Sequence, residues 1–137
     1  MDKINLVLIV DENPKTIKVL VEHLEKHENI SLALATNGKN AIESIGLKKP
    51  DLILMDVLMQ DMDGYETCAV IKKNPTTKDI PIIFFSGKSS VEDTIEGFKV
   101  GGAGYITKPY NLLEVSSCIQ TQLKLAELQS KLDCFTI

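Results

Sequence analysis

Short unbroken apolar runs alternate along the chain with segments whose apolar residues recur every three or four positions. The first kind of run suits a strand buried on both faces, and the second suits an amphipathic helix. Ile4 to Val10 reads as the first strand. Behind it Ile17, Leu20, Val21 and Leu24 step at helical spacing, with Pro14 in the first turn and Asn13 placed to cap it. Four more pairs follow: Ser31 to Ala35 with Lys39 to Leu47, Leu52 to Asp56 with Tyr65 to Lys73, Ile80 to Phe85 with Val91 to Val100, and Gly104 to Thr107 with a helix from near Asn111 that meets no breaker. Repeated strand and helix units with right-handed crossovers predict an α/β domain built on an open, doubly wound parallel sheet.

The last helix carries two stripes. Leu112, Val115, Ile119 and Leu123 are spaced to pack on the sheet, whereas Leu125, Leu128, Leu132 and Phe135 continue on another face that the core does not need. Glu127 and Lys131 form a favourable i,i+4 pair, and the stretch is rich in helix formers. Residues 123–137 are expected to be a helical extension or linker that dimerises or leads to an output or kinase domain.

Composition narrows the chemistry more than the fold. The 137 residues are 44% hydrophobic and 25% charged, the size and balance of one soluble domain. A net charge of -4 gives no broad positive field, so direct binding of nucleic acid by this segment is not expected. Cys68, Cys118 and Cys134 lie far apart with no metal or redox spacing, which favours free thiols in a reducing cytoplasm. The run Leu6 to Val10 is far shorter than the ~20 residues a membrane span requires, so neither an anchor nor a signal peptide is expected.

In a doubly wound sheet ligands sit beyond the carboxyl ends of the strands. Those ends carry Asp11 and Glu12, then Asp56, then Ser86 and Gly87, then Lys108 and Pro109. Three carboxylates in one small site repel unless they share a cation, and an all-oxygen set suits a hard ion such as Mg²⁺. Asp56 can then act as nucleophile toward a phosphoryl group. The metal and Lys108 would neutralise the phosphoryl oxygens and Ser86 would offer a hydroxyl donor, the product being an acyl phosphate.

These residues carry a resemblance. LVLIVDENP (Leu6 to Pro14), DLILMDVLMQDMDGYE (Asp51 to Glu66), PIIFFSGKSS (Pro81 to Ser90) and GAGYITKPY (Gly102 to Tyr110) stand in the order and spacing of the receiver domain of two-component response regulators, which the chain resembles over roughly residues 3 to 122. The resemblance implies a flavodoxin-like five-stranded sheet of order 2-1-3-4-5 with five helices, the last extended. It implies Asp56 as phosphoacceptor, with Mg²⁺ held by Asp11, Glu12, Asp56 and the backbone carbonyl of Leu58. Ser86 and Tyr105 match the switch residues that turn inward, Lys108 matches the family lysine, and Pro109 is a candidate for a cis peptide bond. The implied partners are a sensor histidine kinase or phosphotransfer protein, and a second copy met through the face of helix 4, strand 5 and helix 5 together with the tail. Such a domain is not an enzyme on other substrates; it catalyses only its own phosphorylation and dephosphorylation.

Some positions depart from the family pattern. Gln60 stands where proline is usual, Gly87 where alanine is frequent, and Gly104 where aspartate is common, so the loop after Asp56 and the start of the fifth strand are expected to be looser. By the resemblance, Leu58 and Lys88 occupy the two positions that in the family set phosphoryl lifetime, and an apolar Leu58 is expected to screen attacking water. Asp61 and Asp63 read as loop solvation and turn chemistry before Gly64, and His23 and His27 as solvated or half-buried residues of the first helix. Two other readings stand beside the receiver. A docking module of the same fold that works without phosphorylation has no use for the intact acidic pair, Asp56, Ser86 and Lys108. An aspartate-nucleophile phosphatase wants a second acid two residues after the nucleophile, where Leu58 stands.

Overall fold

The computed structural model describes residues 3–87 and 90–135, so Lys88 and Ser89 lie outside it, as does the side chain of Phe135. Strands and helices alternate along the chain: β1 (Asn5–Val10), α1 (Pro14–Leu24), β2 (Ile30–Ala35), α2 (Gly38–Leu47), β3 (Leu52–Asp56), α3 (Gly64–Lys73), β4 (Ile82–Ser86), α4 (Val91–Lys99), β5 (Gly104–Thr107) and α5 (Leu112–Phe135). The strands form one parallel sheet in the order β2-β1-β3-β4-β5, the flavodoxin-like order.

Strand alternation divides the core in two. Leu8, Val10, Ile53, Met55, Ile82 and Phe84 face Ala41 and Ile45 of α2 and Cys68 and Ile71 of α3. Val7, Ile9, Leu54, Ile83, Phe85 and Ile106 face Leu20 and Leu24 of α1 and Val115, Ile119 and Leu123 of α5. Because both faces are covered, β3 and β4 are buried at every position, which is why their sequences run apolar without alternating.

Local chemistry sets the helix starts. The Asn13 side chain accepts from the Lys15 N–H with Pro14 opening α1, and Asp63 caps α3 in a capping box with Glu66. The turn chemistry expected of Asp63 is thus a helix cap. Two elements depart from the sequence reading by more than one residue at an end, the others by one at most. β4 starts at Ile82 and runs through Ser86, because Pro81 has no N–H to give the ladder and contributes only its carbonyl, to Ile53. α1 ends at Leu24, which leaves His27 in the following turn, where its N–H reaches the Leu24 carbonyl.

Of the two α5 stripes, Val115, Ile119 and Leu123 are buried and Leu112 is half-buried, as spaced. Leu125, Leu128 and Leu132 are 53%, 44% and 59% exposed, so this face leaves the core behind. Among the described residues no helix is long and apolar enough to cross a membrane.

Candidate functional site

Parallel register brings the carboxyl ends of β1, β3, β4 and β5 to one edge, and the sequence-predicted residues arrive there with them. Asp56 closes β3 and Ser86 closes β4, while Asp11 and Lys108 each follow a strand directly. The pairs Asp56 with Phe85 and Ser86 with Thr107 fix their relative heights. The Lys108 N–H donates to the Ser86 carbonyl at 2.7 Å, extending that ladder by a residue, and the Lys108–Pro109 peptide bond is cis.

The lysine is the hub. Its Nζ lies 3.6 Å from Asp56 Oδ1 and 3.8 Å from Asp11 Oδ2, and 4.9 Å from the centre of the Phe85 ring. One cation thus faces two buried carboxylates, 1% and 5% exposed, and is itself held over an aromatic face. Asp11 Oδ1 accepts from the Asn13 N–H at 2.8 Å, but Asp11 Oδ2 is buried with no hydrogen-bond donor. A charged oxygen in that position is costly unless a cation meets it. Burial and the Asp11 charge raise Asp56 from the ordinary 3.8 to about 6, with Lys108 and the Leu58 N–H pulling the other way.

Glu12 stands apart from this pair. It is exposed, and its Oε1 accepts from the Gln60 N–H. Among the described residues no three His, Cys, Asp or Glu side chains meet as a metal cluster. The expected looseness at Gln60 is therefore offset by a tie that proline, lacking an amide hydrogen, could not make. The same loop turns sharply at Asp61, whose φ of 66° lies in the left-handed region, and the Met62 N–H closes the turn onto the Gln60 carbonyl at 2.7 Å.

The residues present still fit a hard divalent cation. Its donors would be Asp11 Oδ2, left without a hydrogen bond, Asp56, and the neighbouring Leu58 carbonyl and Glu12, all of them oxygen. Leu58 is 56% exposed beside Asp56, open to whatever approaches that carboxylate.

Tyr105 does not hang free at the sheet edge. It is half-buried, packed against the same core as Phe84, with its hydroxyl 3.1 Å from that of Tyr65. Sequence reasoning missed Tyr65, and it missed Phe85 beneath Lys108 and Tyr110, whose phenol burial and the charges of Asp11 and Asp56 push up. No single-sequence pattern marks them, since each becomes relevant only through a contact with a distant strand. Tyr110, immediately after Pro109 in the lysine segment, was the nearest to being legible.

Residues 7–120 match the family described as response regulator receiver domain. PilG of Pseudomonas aeruginosa is 34% identical over 117 residues, covering 85% of this chain and 86% of that one. A Vibrio cholerae protein named a probable cyclic di-GMP phosphodiesterase is 38% identical over 118 residues, which cover 86% of this chain and 26% of that longer protein. The chain thus spans about a quarter of that relative's length. The crystal structure of the signal receiver domain of a signal transduction histidine kinase from Syntrophus aciditrophicus superposes with a TM-score of 0.81 at 32% identity, covering 88% of this chain and 90% of that one.

Proposed function

The chain belongs to the response regulator receiver domain family of two-component signalling, and from that premise we propose that Asp56 is its phosphoacceptor, charged from the phosphohistidine of a sensor kinase or phosphotransfer protein in the cytoplasm. The observation that carries this reading is Lys108 Nζ set 3.6 Å from Asp56 and 3.8 Å from Asp11, with Asp11 Oδ2 left without a hydrogen bond. An Asp56 oxygen attacks phosphorus, the new O–P bond forms as the N–P bond breaks, and the electron pair returns to the imidazole nitrogen. Lys108 offsets the charge on the phosphoryl oxygens from one side and the Ser86 hydroxyl donates from β4. Asp11, Asp56, the Leu58 carbonyl and Glu12 would hold Mg²⁺, which when bound supplies charge neutralisation at the same oxygens. Within this segment the chemistry ends at the protein's own phosphorylation and dephosphorylation.

Intact-mass measurement after incubation with acetyl phosphate and Mg²⁺ tests this. Wild type is expected to gain one phosphoryl group that hydroxylamine removes, and Asp56→Asn is expected to gain none. Equal gain by both proteins, or no gain by wild type, refutes the assignment.

Lifetime depends on water reaching the acyl phosphate, and Leu58 is the exposed apolar residue two positions on. Phosphorylated Leu58→Asn is expected to decay several-fold faster than wild type, since an amide can orient the attacking water that an alkyl group excludes. Decay of the intact-mass signal measures it, and an unchanged or slower rate removes Leu58 from this role.

Output would follow as a population shift on the face of α4, β5 and α5, with Ser86 and Tyr105 as its switch residues. Residues 123–137 act in this reading as a helical extension that pairs with a second copy. Every residue from 124 to 134 is exposed, and a helical stretch of that length is marginal in water unless something covers it. Light scattering with and without phosphodonor is expected to give a dimer that Leu125→Ser with Leu128→Ser and Leu132→Ser returns to monomer. A monomer under both conditions rules the pairing out.

A further inference from the structure

Tyr65, the second residue of α3, reaches across to two other elements. Its hydroxyl donates to the Asp93 carbonyl in the first turn of α4 at 2.9 Å and lies 3.1 Å from the Tyr105 hydroxyl on β5. A phenol has one hydrogen to give, and a carbonyl only accepts, so the Tyr65 hydrogen belongs to Asp93. The Tyr65 oxygen keeps its lone pairs, and at 3.1 Å it is placed to accept from Tyr105. The Tyr65 ring is also fixed, edge-on to Phe84 at 5.2 Å and 77°. It offers Tyr105 a rigid acceptor at the core side of β5.

A second, independent feature points the same way. On α4, Gly97 has no side chain where a Cβ would come within 2.8 Å of the Tyr105 ring. That glycine leaves the space Tyr105 fills, while Phe84 backs the ring at 6.2 Å. None of these contacts uses Asp56, so all are available whatever state that carboxylate is in.

We propose that Tyr65 is a positioning residue that holds Tyr105 inward irrespective of phosphorylation, so that the switch of this protein rests largely in the arrangement phosphorylation selects. The proposal rests on the switch role of Tyr105 given above and deepens its regulation. A phosphoryl group would then stabilise a placement already populated, and the contrast between resting and activated faces would be set by how firmly Tyr65 holds. The link also ties α3, which follows the Asp56 loop, to α4 and β5 of the output face through one pair of phenols.

Three-bond couplings that report χ1 of Tyr105 in the full chain, without phosphodonor, test this directly. Wild type is expected to show one rotamer. Tyr65→Phe keeps the ring against Phe84 but removes the acceptor, and its ratio of inward to outward Tyr105 is expected to fall about five- to tenfold, the worth of one such hydrogen bond. Gly97→Ala is expected to displace Tyr105 by filling its space with a methyl group. Rotamer averaging in wild type, or a single unchanged rotamer in Tyr65→Phe, overturns the proposal. So does a lower melting temperature in Tyr65→Phe with Tyr105 unmoved, which is the mark of a merely structural role. Beryllofluoride with Mg²⁺, a phosphoryl mimic, is expected to shift the Tyr105 resonance less in wild type than in Tyr65→Phe, and an equal shift counts against it. If instead the phosphoacceptor reading is at fault, the mimic leaves the Ser86 and Lys108 amides unmoved in both proteins, while the χ1 comparison stands or falls by itself.

Discussion

Asp56→Asn is expected to melt about 3–10 °C above wild type at pH 7 in metal-free buffer, the shift that ~1–3 kcal/mol produces in a domain of this size. Asp56 is 5% exposed beside Asp11, whose Oδ2 has no hydrogen bond, and Lys108 at 3.6 Å must serve both acids. Removing one negative charge relieves the pair. The sign with pH follows from linkage: burial and Asp11 raise Asp56 from 3.8 to about 6, so the folded state binds this proton more tightly than the unfolded chain does. The stability this gives is fully present below the unfolded value and is lost as pH rises through about 6. The gain of Asp56→Asn over wild type should therefore be near zero at the acid end of that window and complete above it. Calorimetric melts across that range measure it. Adding Mg²⁺ should narrow the gap, since a cation bound only by the folded wild type stabilises it by mass action. An Asn variant less stable than wild type at pH 7 would show that the carboxylate is already compensated.

Gly64→Ala is expected to cost about 2–4 kcal/mol, among the larger effects of a single methyl group. A Cβ at Gly64 would sit 2.3 Å from the Asp56 carbonyl oxygen and 2.9 Å from Val57 Cα, and neither backbone atom can swing aside as a side chain could. Gly64 also donates its N–H to the Val57 carbonyl at 2.8 Å, so the loop after Asp56 folds back onto the strand end at this residue. The methyl group would push α3 away from the end of β3 and displace Asp56 with it, so phosphoryl acceptance from acetyl phosphate should fall as well. Gly46 is the internal control. It lies within α2 with nothing inside 4 Å of an added Cβ, and Gly46→Ala is expected to stabilise by about 0.5–1 kcal/mol through a less flexible unfolded chain. Urea melts of both variants decide the matter; equal, small effects would mean that the loop yields easily.

Much of this architecture was legible in one sequence because it rests on local rules. Leu52 to Asp56 and Gly104 to Thr107 coincide with the observed strands, since an apolar run between turn residues has little else to become. Asn13 before Pro14 marked the start of α1. The site was legible for a topological reason: parallel strands must present their carboxyl ends on one edge, so Asp11, Asp56, Ser86 and Lys108 had to approach one another. β4 was misplaced where Pro81 interrupted hydrogen bonding without interrupting hydrophobicity.

What only the tertiary structure decided were matters of distance. The sequence assigned Asp11, Glu12 and Asp56 to one cluster by proximity in the fold, whereas packing brings Asp11 and Asp56 to the same lysine and turns Glu12 to the Gln60 N–H. A strand end specifies which residues converge; loop conformation, set here by Asp61 and Gly64, specifies which way each side chain points. The phenol pair lies still further from sequence. Tyr65 and Tyr105 are 40 residues apart and meet only because the Tyr105 side chain of β5 lies on the face of the sheet that α3 covers, with a glycine on α4 to make room. Periodicity carries information about faces and layers, and hydrogen bonds between layers are decided at the scale of an ångström, which no pattern of apolar and polar positions encodes.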